Sequence, residues 1–246
     1  MRTVMTWSIV AHDAATGGFG VAVASKVLAV GALCPWAAAG VGALSTQSYT
    51  NPLYGPDVLA MLRAGGDIAG ALQAVTQADD GRDWRQVHGV DTAGRAFAYT
   101  GAACVDWNGH LTGDGVSVAG NMLAGPQVVE ATMAAWIDGA AKSFPERLLD
   151  ALAAGEAAGG DKRGKQSAAI RIVTTEDWPA VDLRVDDAVA PIQELQRLLG
   201  VFLDERAPYY ATLATRDEPS GVFDPVERER VAMGYYLARG KDMGRS

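Results

Sequence analysis

The sequence predicts an α+β protein built as a four-layer αββα sandwich: two mostly antiparallel sheets stacked face to face, with helices on both outer sides. Three observations support this. Element signals along the 246 residues run strands, two helices, strands, two helices, strands, an order that gives each sheet one face for its partner and one for helices. Turn-type segments such as Asp91-Thr-Ala-Gly94 separate successive strand candidates and suit antiparallel neighbours. At 49% hydrophobic and 20% charged residues, the composition is that of a globular chain long enough to bury a substantial core.

The chain opens with strand candidates Thr6 to Ala11 and Phe19 to Ser25, joined by Asp13 to Gly18 as a hairpin with a longer loop. Cys34-Pro35-Trp36 makes a poor strand interior because of its proline, so the third strand is placed at Gly40 to Gln47. From Tyr54, residues Val58, Leu59 and Leu62 share a helical face until Gly65-Gly66; Ile68, Leu72 and Val75 mark a second helix, with Asp67 as its N-cap. Strands return at Gln86 to Asp91, Arg95 to Thr100, Cys104 to Leu111 and Gly115 to Asn121. Apolar stripes then define helices at Gln127 to Ala140 and Pro145 to Ala158. Two strands, Ser167 to Thr174 and Ala180 to Val185, and a helix from Pro191 to about Leu203 complete a body spanning residues 1–203. Residues 204–246 form a C-terminal appendage with a charged helix, Pro225 to Ala238, and a basic tail.

The 21 Lys and Arg against 29 Asp and Glu give a formal charge of −8. With no basic stripe, the chain is not expected to bind nucleic acid or an anionic membrane surface. No segment approaches the roughly 18 apolar residues of a membrane span, and the apolar stretch before His12 and Asp13 is too short for a signal peptide. Cys34 and Cys104 are too few for a disulfide framework and lack zinc-ligand neighbours, so a cytoplasmic protein without metal or cofactor is expected.

His12, His88 and His110 lie in no recognisable catalytic motif, and no nucleophile elbow, phosphate loop or dinucleotide fingerprint occurs. Thr6 begins a strand directly after an internal methionine, Met5. A threonine with a free α-amine can use that amine, of pKa about 7.7–8.0, as base for its own hydroxyl; the bland alternative is a β-branched residue starting a strand. A regular hairpin brings Ser25 and Lys26 beside Thr6, where the lysine either tunes a proton path or is merely solvated. Ser45, Thr46 and Gln47 either contact a small polar substrate or lead into a capped loop. Gly120-Asn121 either supplies oxyanion donors or forms a turn. In Gly159 to Ser167, Asp161, Arg163 and Gln166, with Lys162 and Lys165, either bind a carboxylate-bearing ligand or form an exposed connection.

Six blocks occurring in order, T-W-S-I-V-A from Thr6, G-V-A-V-A-S-K from Gly20, A-V-G-A-L-C-P-W-A from Ala29, S-T-Q-S-Y-T-N-P-x-Y-G-P from Ser45, G-N-M-L-A-G-P from Gly120 and G-G-D-K-R-G-K-Q-S-A-A from Gly159, with V-D-L-R-V-D-D from Val181 closing the run, resemble the bacterial domain of unknown function 1028 family over roughly Thr6 to Leu203. The resemblance implies an N-terminal-nucleophile (Ntn) hydrolase-like αββα sandwich. It aligns Met5-Thr6-Trp7-Ser8 with the usual Met-Thr-Phe-Ser start of members and makes Met1 to Val4 an extension. The expected function is an Ntn-type amidohydrolase cleaving a small amide, peptide or lactam C–N bond. Thr6 is then the nucleophile, Ser25 and Lys26 assist it, Asn121 stabilises the oxyanion, and Ser45, Thr46, Gln47, Asp161, Arg163 and Gln166 bind substrate. The alternative is a non-catalytic small-ligand-binding or assembly protein on the same fold. A homo-oligomer, a dimer, is expected with either, using Trp178 and the C-terminal helix.

Overall fold

The computed structural model describes residues 6–240; Met5, the extension before it and the last six residues of the basic tail lie outside the described residues. The first body is a stack of two antiparallel sheets. The six-stranded sheet has the order β10-β9-β2-β1-β8-β7, with β1 Thr6–Asp13, β2 Gly18–Ser25, β7 Gly109–Gly113, β8 Val116–Asn121, β9 Ser167–Val173 and β10 Val181–Val185. The four-stranded sheet has the order β3-β4-β5-β6, with β3 Pro35–Ala38, β4 Gly42–Ser48, β5 Arg85–Asp91 and β6 Ala96–Thr100.

Strand alternation sorts side chains between layers. Thr6, Ser8 and Val10 share one face of β1 and Trp7, Ile9 and Ala11 the other. Ser8 reaches Gln47 and His88 of the four-stranded sheet, and Val10 packs with Ala43 and Val90, so the first face is the inner one. Helices cover the outer faces. On the four-stranded sheet, α1 (Tyr54–Arg63) and α2 (Ile68–Gln77) bury Val58, Leu62, Ile68 and Leu72 against Leu44 and Val87. Asp67 caps α2, accepting from the Gly70 N–H at 2.8 Å. On the other side, α3 (Gln127–Asp138) and α4 (Phe144–Ala157) pack on each other and on β1, β2 and β8. Gly155 in the last turn of α4 permits that approach, since a Cβ there would stand 2.3 Å from Thr132 Oγ1 and 2.9 Å from Trp7 Nε1.

Two strand expectations need correction. Pro35 to Ala38 is a strand, paired Pro35↔Ser45 through Ala38↔Gly42; it lies on the sheet edge, where the missing proline N–H costs no ladder bond. Cys104 to Asn108 is not strand, and β7 begins only at Gly109, opposite Gly120.

The chain divides into two compact units at Gln196 and Arg197, ahead of the expected boundary after residue 203. The helix α5 spans Pro191–Val201. In the second unit, a π-helical segment Phe202–Arg206 leads into α6 (Ala207–Tyr210), and α7 spans Pro225–Ala238. Within this unit Phe202 meets Tyr210 edge-to-face at 5.1 Å, and Asp224 caps α7 through the Glu227 N–H at 2.9 Å. Among the described residues no helix is long and apolar enough to cross a membrane.

Candidate functional site

Antiparallel pairing collects one end of each central strand at a single edge of the sandwich. Thr6 heads β1 and faces Asn121, the last residue of β8, while Ser25, the last of β2, faces Ser167, the first of β9. The hairpin therefore delivers Ser25 to Thr6, and the Thr6 Oγ1 hydroxyl donates to Ser25 Oγ at 3.3 Å, both residues being buried. From the facing sheet, Gln47 Nε2 donates to the Thr6 carbonyl at 3.3 Å and to Ala119 O at 3.2 Å, which ties the head of β1 across the interlayer.

Backbone carbonyls fix the direction of the hydrogen bonds behind Thr6. Because Gln47 Nε2 faces the carbonyls of Thr6 and Ala119 and Gln86 Oε1 (2.8 Å), its Oε1 is left to accept from Ser8 Oγ at 2.6 Å and Ser45 Oγ at 3.2 Å. The Ser8 proton is then spent, so the His88 contact at 2.7 Å is an Nε2–H donated to Ser8, and Nδ1 accepts from Ser117 Oγ at 3.0 Å. Burial pushes the His88 pKa down to about 3, with His110 adding a smaller push in the same direction. His88 is thus a neutral spacer between the sheets.

Asn121 differs from the expected oxyanion donor. Both of its Nδ2 hydrogens have acceptors, Gln86 Oε1 at 2.9 Å and the Thr6 carbonyl at 3.4 Å, whereas its Oδ1 is buried without a partner. The side chain is therefore committed as a donor and available as an acceptor.

Lys26 turns outward. Its Nζ donates to Lys165 O at 3.0 Å, while its backbone N–H is held by Asp161 Oδ2 at 2.8 Å. Asp161 also accepts from the Arg163 N–H at 2.8 Å and pairs with Arg163 Nη2 at 3.1 Å, so it clamps the 160–164 turn onto the end of β2. Lys165 pairs with Glu156 at 2.8 Å, Lys162 Nζ donates to Asp106 O, and Gln166 Nε2 donates to Asp187. The loop expected to bind an anion has its charges engaged by the protein, and the Gln166 side chain is held by Asp187 while its backbone N–H donates to the Ser25 carbonyl at 3.1 Å. Ser45 and Gln47 are wholly buried between the sheets, and Thr46 Oγ1 bonds the Asn51 carbonyl, so these three build the wall behind the site without lining an open cavity.

Ala29 (φ 55°), Ser48 (φ 66°) and Met122 (φ 54°) are the non-glycine residues with left-handed backbone among those described, and all three follow or end strands at the Thr6 edge. Such conformations cost of order 1–3 kcal/mol each and concentrate where geometry serves a site.

A groove of about 390 Å³ is lined by Val27, Leu28, Ala29, Val30, Leu33, Cys34, Tyr49, Thr50 and Arg85. Two of its walls follow in the chain from the partners of Thr6: Val27 lies two residues beyond Ser25, and Tyr49 two beyond Gln47. Ser167 Oγ holds the first wall, donating to Val27 O at 2.6 Å and accepting from the Val30 N–H at 3.1 Å. Cys34 contributes surface without nucleophilicity, since burial pushes its thiol up to about 12.

Sequence reasoning missed this groove and Gln86, and it placed His88 in a strand in a structural or surface role without seeing the buried network the two share. Their signal was nonetheless present: Gln86, His88 and Val90 alternate on a strand whose other face carries Val87 and Gly89. Polar residues on an inner strand face announce a buried network.

The body is an α+β stack of two antiparallel sheets with a threonine at the head of a central strand. The chain belongs to the family of unknown function DUF1028, whose model matches residues 6–195. It is similar to the crystal structure of a DUF1028 protein from Silicibacter pomeroyi, with 31% identity, a TM-score of 0.83, and 89% of this chain and 96% of that chain covered. It also matches Anbu (ancestral β-subunit) from Yersinia bercovieri at 10% identity and a TM-score of 0.38, covering 80% of this chain and 94% of that one. No curated protein matches the chain.

Proposed function

We propose that the protein is an N-terminal-nucleophile amidohydrolase, active with Thr6 as its first residue, that cleaves a small amide, peptide or lactam C–N bond. The observation that supports this is the Thr6 hydroxyl at the head of a central strand, 3.3 Å from Ser25 Oγ, with a groove whose lining begins two residues beyond Ser25, at Val27. The free α-amine takes the hydroxyl proton as Oγ1 forms a bond to the substrate carbonyl carbon. The tetrahedral intermediate collapses with rupture of the C–N bond, and the amine leaves with the proton returned from the α-ammonium. Water then attacks the threonyl ester by the same base, releasing the carboxylic acid and restoring Thr6. Ser25 orients the hydroxyl. Asn121 and Gln47 are positioning residues, because both hold the Thr6 carbonyl. The unpartnered Asn121 Oδ1 is an acceptor suited to an α-ammonium. Lys26, with its ammonium on Lys165 O, acts only through its distant charge.

Complete burial of Thr6 in this form of the chain favours a second reading, a non-catalytic small-ligand-binding or assembly protein. The two are separated by screening amides with protein whose intact mass shows an N-terminus at Thr6. Loss of turnover in Thr6→Ala with an unchanged melting temperature supports the hydrolase. Retained turnover in that variant overturns it, and ligand-induced stabilisation without turnover supports the binder.

A further inference from the structure

Beside the 390 Å³ groove lies a second lobe of about 310 Å³, lined by Tyr49, Gly81, Trp84 and Arg85. Tyr49 and Arg85 belong to both lobes and form the partition between them. The lobes differ in chemistry. The first is walled by Val27, Leu28, Val30 and Leu33, with Leu28 67% and Leu33 52% exposed; the second presents Trp84, 48% exposed and edge-to-face with Tyr49 at 5.4 Å. Exposed leucines and tryptophan around a concave surface are a signature of ligand contact.

Charge decides what kind of ligand fits. Arg85 Nε pairs with Asp79 Oδ2 at 3.0 Å, and Nη1 donates to the Tyr49 carbonyl. Burial works to raise the Asp79 pKa, but hydrogen bonds from Tyr54, Arg85, the Gly81 N–H and Asn51 outweigh it and hold the carboxyl at about 2. The pair therefore stays ionised and is neutral overall. Among the described residues Arg85 Nη2 makes no hydrogen bond. The partition thus offers N–H donors without net positive charge, which matches a carbonyl oxygen and gives no premium to a carboxylate. The cations of the 159–167 loop are already engaged: Arg163 by Asp161, Lys165 by Glu156 and Lys162 by the Asp106 carbonyl.

We infer that the double groove binds a neutral N-acyl amino amide: an aliphatic side chain in the Leu28–Leu33 lobe next to Thr6, an amide carbonyl on Arg85 Nη2, and a planar acyl cap against Trp84. This names the substrate class of the site proposed above and rests on that reading for the bond cleaved, but binding in the groove stands without it. N-benzoyl-leucine amide has the three parts in this order, and N-benzoyl-aspartate amide is its anionic counterpart.

The test is calorimetric titration of both compounds into full-length Thr6→Ala protein, which binds without turning over. The expected result is saturable binding of the leucine amide, with affinity about tenfold or more lower for the aspartate amide. An equal or larger loss of leucine amide affinity is expected in the Leu33→Asp and Trp84→Ala backgrounds, whose exposed positions leave the melting temperature unchanged. The inference is overturned by absence of binding up to the solubility limit, by equal affinity for the two compounds, or by indifference to both groove substitutions. Turnover of N-benzoyl-leucine amide by protein with Thr6 first in the chain is measured separately. Binding without turnover removes the hydrolase reading and leaves the groove assignment standing, while turnover of other amides without binding here does the reverse.

Discussion

The two ends of the layer between the sheets are built from the same strands and opposite chemistry. At the end away from Thr6, Val10, Phe19, Val21, Ala43, Val90 and Val173 form a dry cluster. At the Thr6 end, the same alternation places Thr6, Ser8, Ser45, Gln47, Gln86, His88, Ser117 and Asn121 on the inner faces, all buried and cross-linked by hydrogen bonds. The apolar end is held by volume, so its losses should follow how much side chain is removed. The polar end is held by closure of a network, so its losses should follow how many groups are left unpaired. A fold needing stability alone gains little from a buried glutamine pair; the polar end also fixes the Thr6 carbonyl from two directions.

This contrast can be broken by experiment. The largest expected effect is catalytic: in protein that hydrolyses an amide, Gln47→Leu should remove most turnover as well as stability, because it releases Thr6. Its stability cost should be about 3 kcal/mol or more by chemical denaturation despite the similar volume, since Ser8, Ser45, Gln86 and the Thr6 and Ala119 carbonyls each lose a hydrogen bond in a buried layer. At the other end, Phe19→Ala should cost about 3–5 kcal/mol through an apolar cavity while leaving the kcat of the folded fraction unchanged. A fall in kcat with Phe19→Ala, or stability indifferent to Gln47→Leu, would dissolve the distinction.

The third effect is on pH dependence. Burial lowers the His88 pKa to about 3 from 6.5, so between those values the unfolded chain binds the extra proton. The contribution of His88 is complete above pH about 6.5 and is lost as pH falls toward 3. Replacing His88 by Gln should flatten the acid limb of the stability profile by up to about 1.4 kcal/mol per pH unit in that window, whatever it costs at neutral pH. An unchanged slope would mean that His88 titrates normally. The smallest effect should come from Lys26→Met, which removes an exposed ammonium bonded to Lys165 O: stability within about 0.5 kcal/mol and turnover reduced less than tenfold. A loss comparable to that of Thr6→Ala would return Lys26 to the proton path.

Much of the architecture was legible because it rests on local rules. Period-two alternation marked the central strands, the 3.6-residue stripes marked α1 to α4, and Asp67 announced its helix as an N-cap. The strand β3 was hidden because Pro35 is a breaker in an interior strand and harmless on an edge, and edge position is a property of the sheet. The site was legible in part. Hairpin register alone predicted that Ser25 meets Thr6, and it does at 3.3 Å. The roles of Lys26 and Gln166 were not legible, since a long side chain at a strand end or in a loop can turn either way. Here Lys165 O and Asp187 take them.

The sequence by itself determined the layers and the hairpin that sets Thr6 beside Ser25, because side-chain periodicity and turn chemistry act over a few residues; the pairing that adds Asn121 is long-range. Only the tertiary structure decided what those residues can do. The direction of the Asn121 amide follows from Gln86 and the Thr6 carbonyl, the protonation of His88 from its burial between the sheets, and the hold on the Thr6 carbonyl from Gln47 of the facing sheet. Donor direction and desolvation are set by neighbours distant in the chain, and they exist only once the sheets have closed on each other.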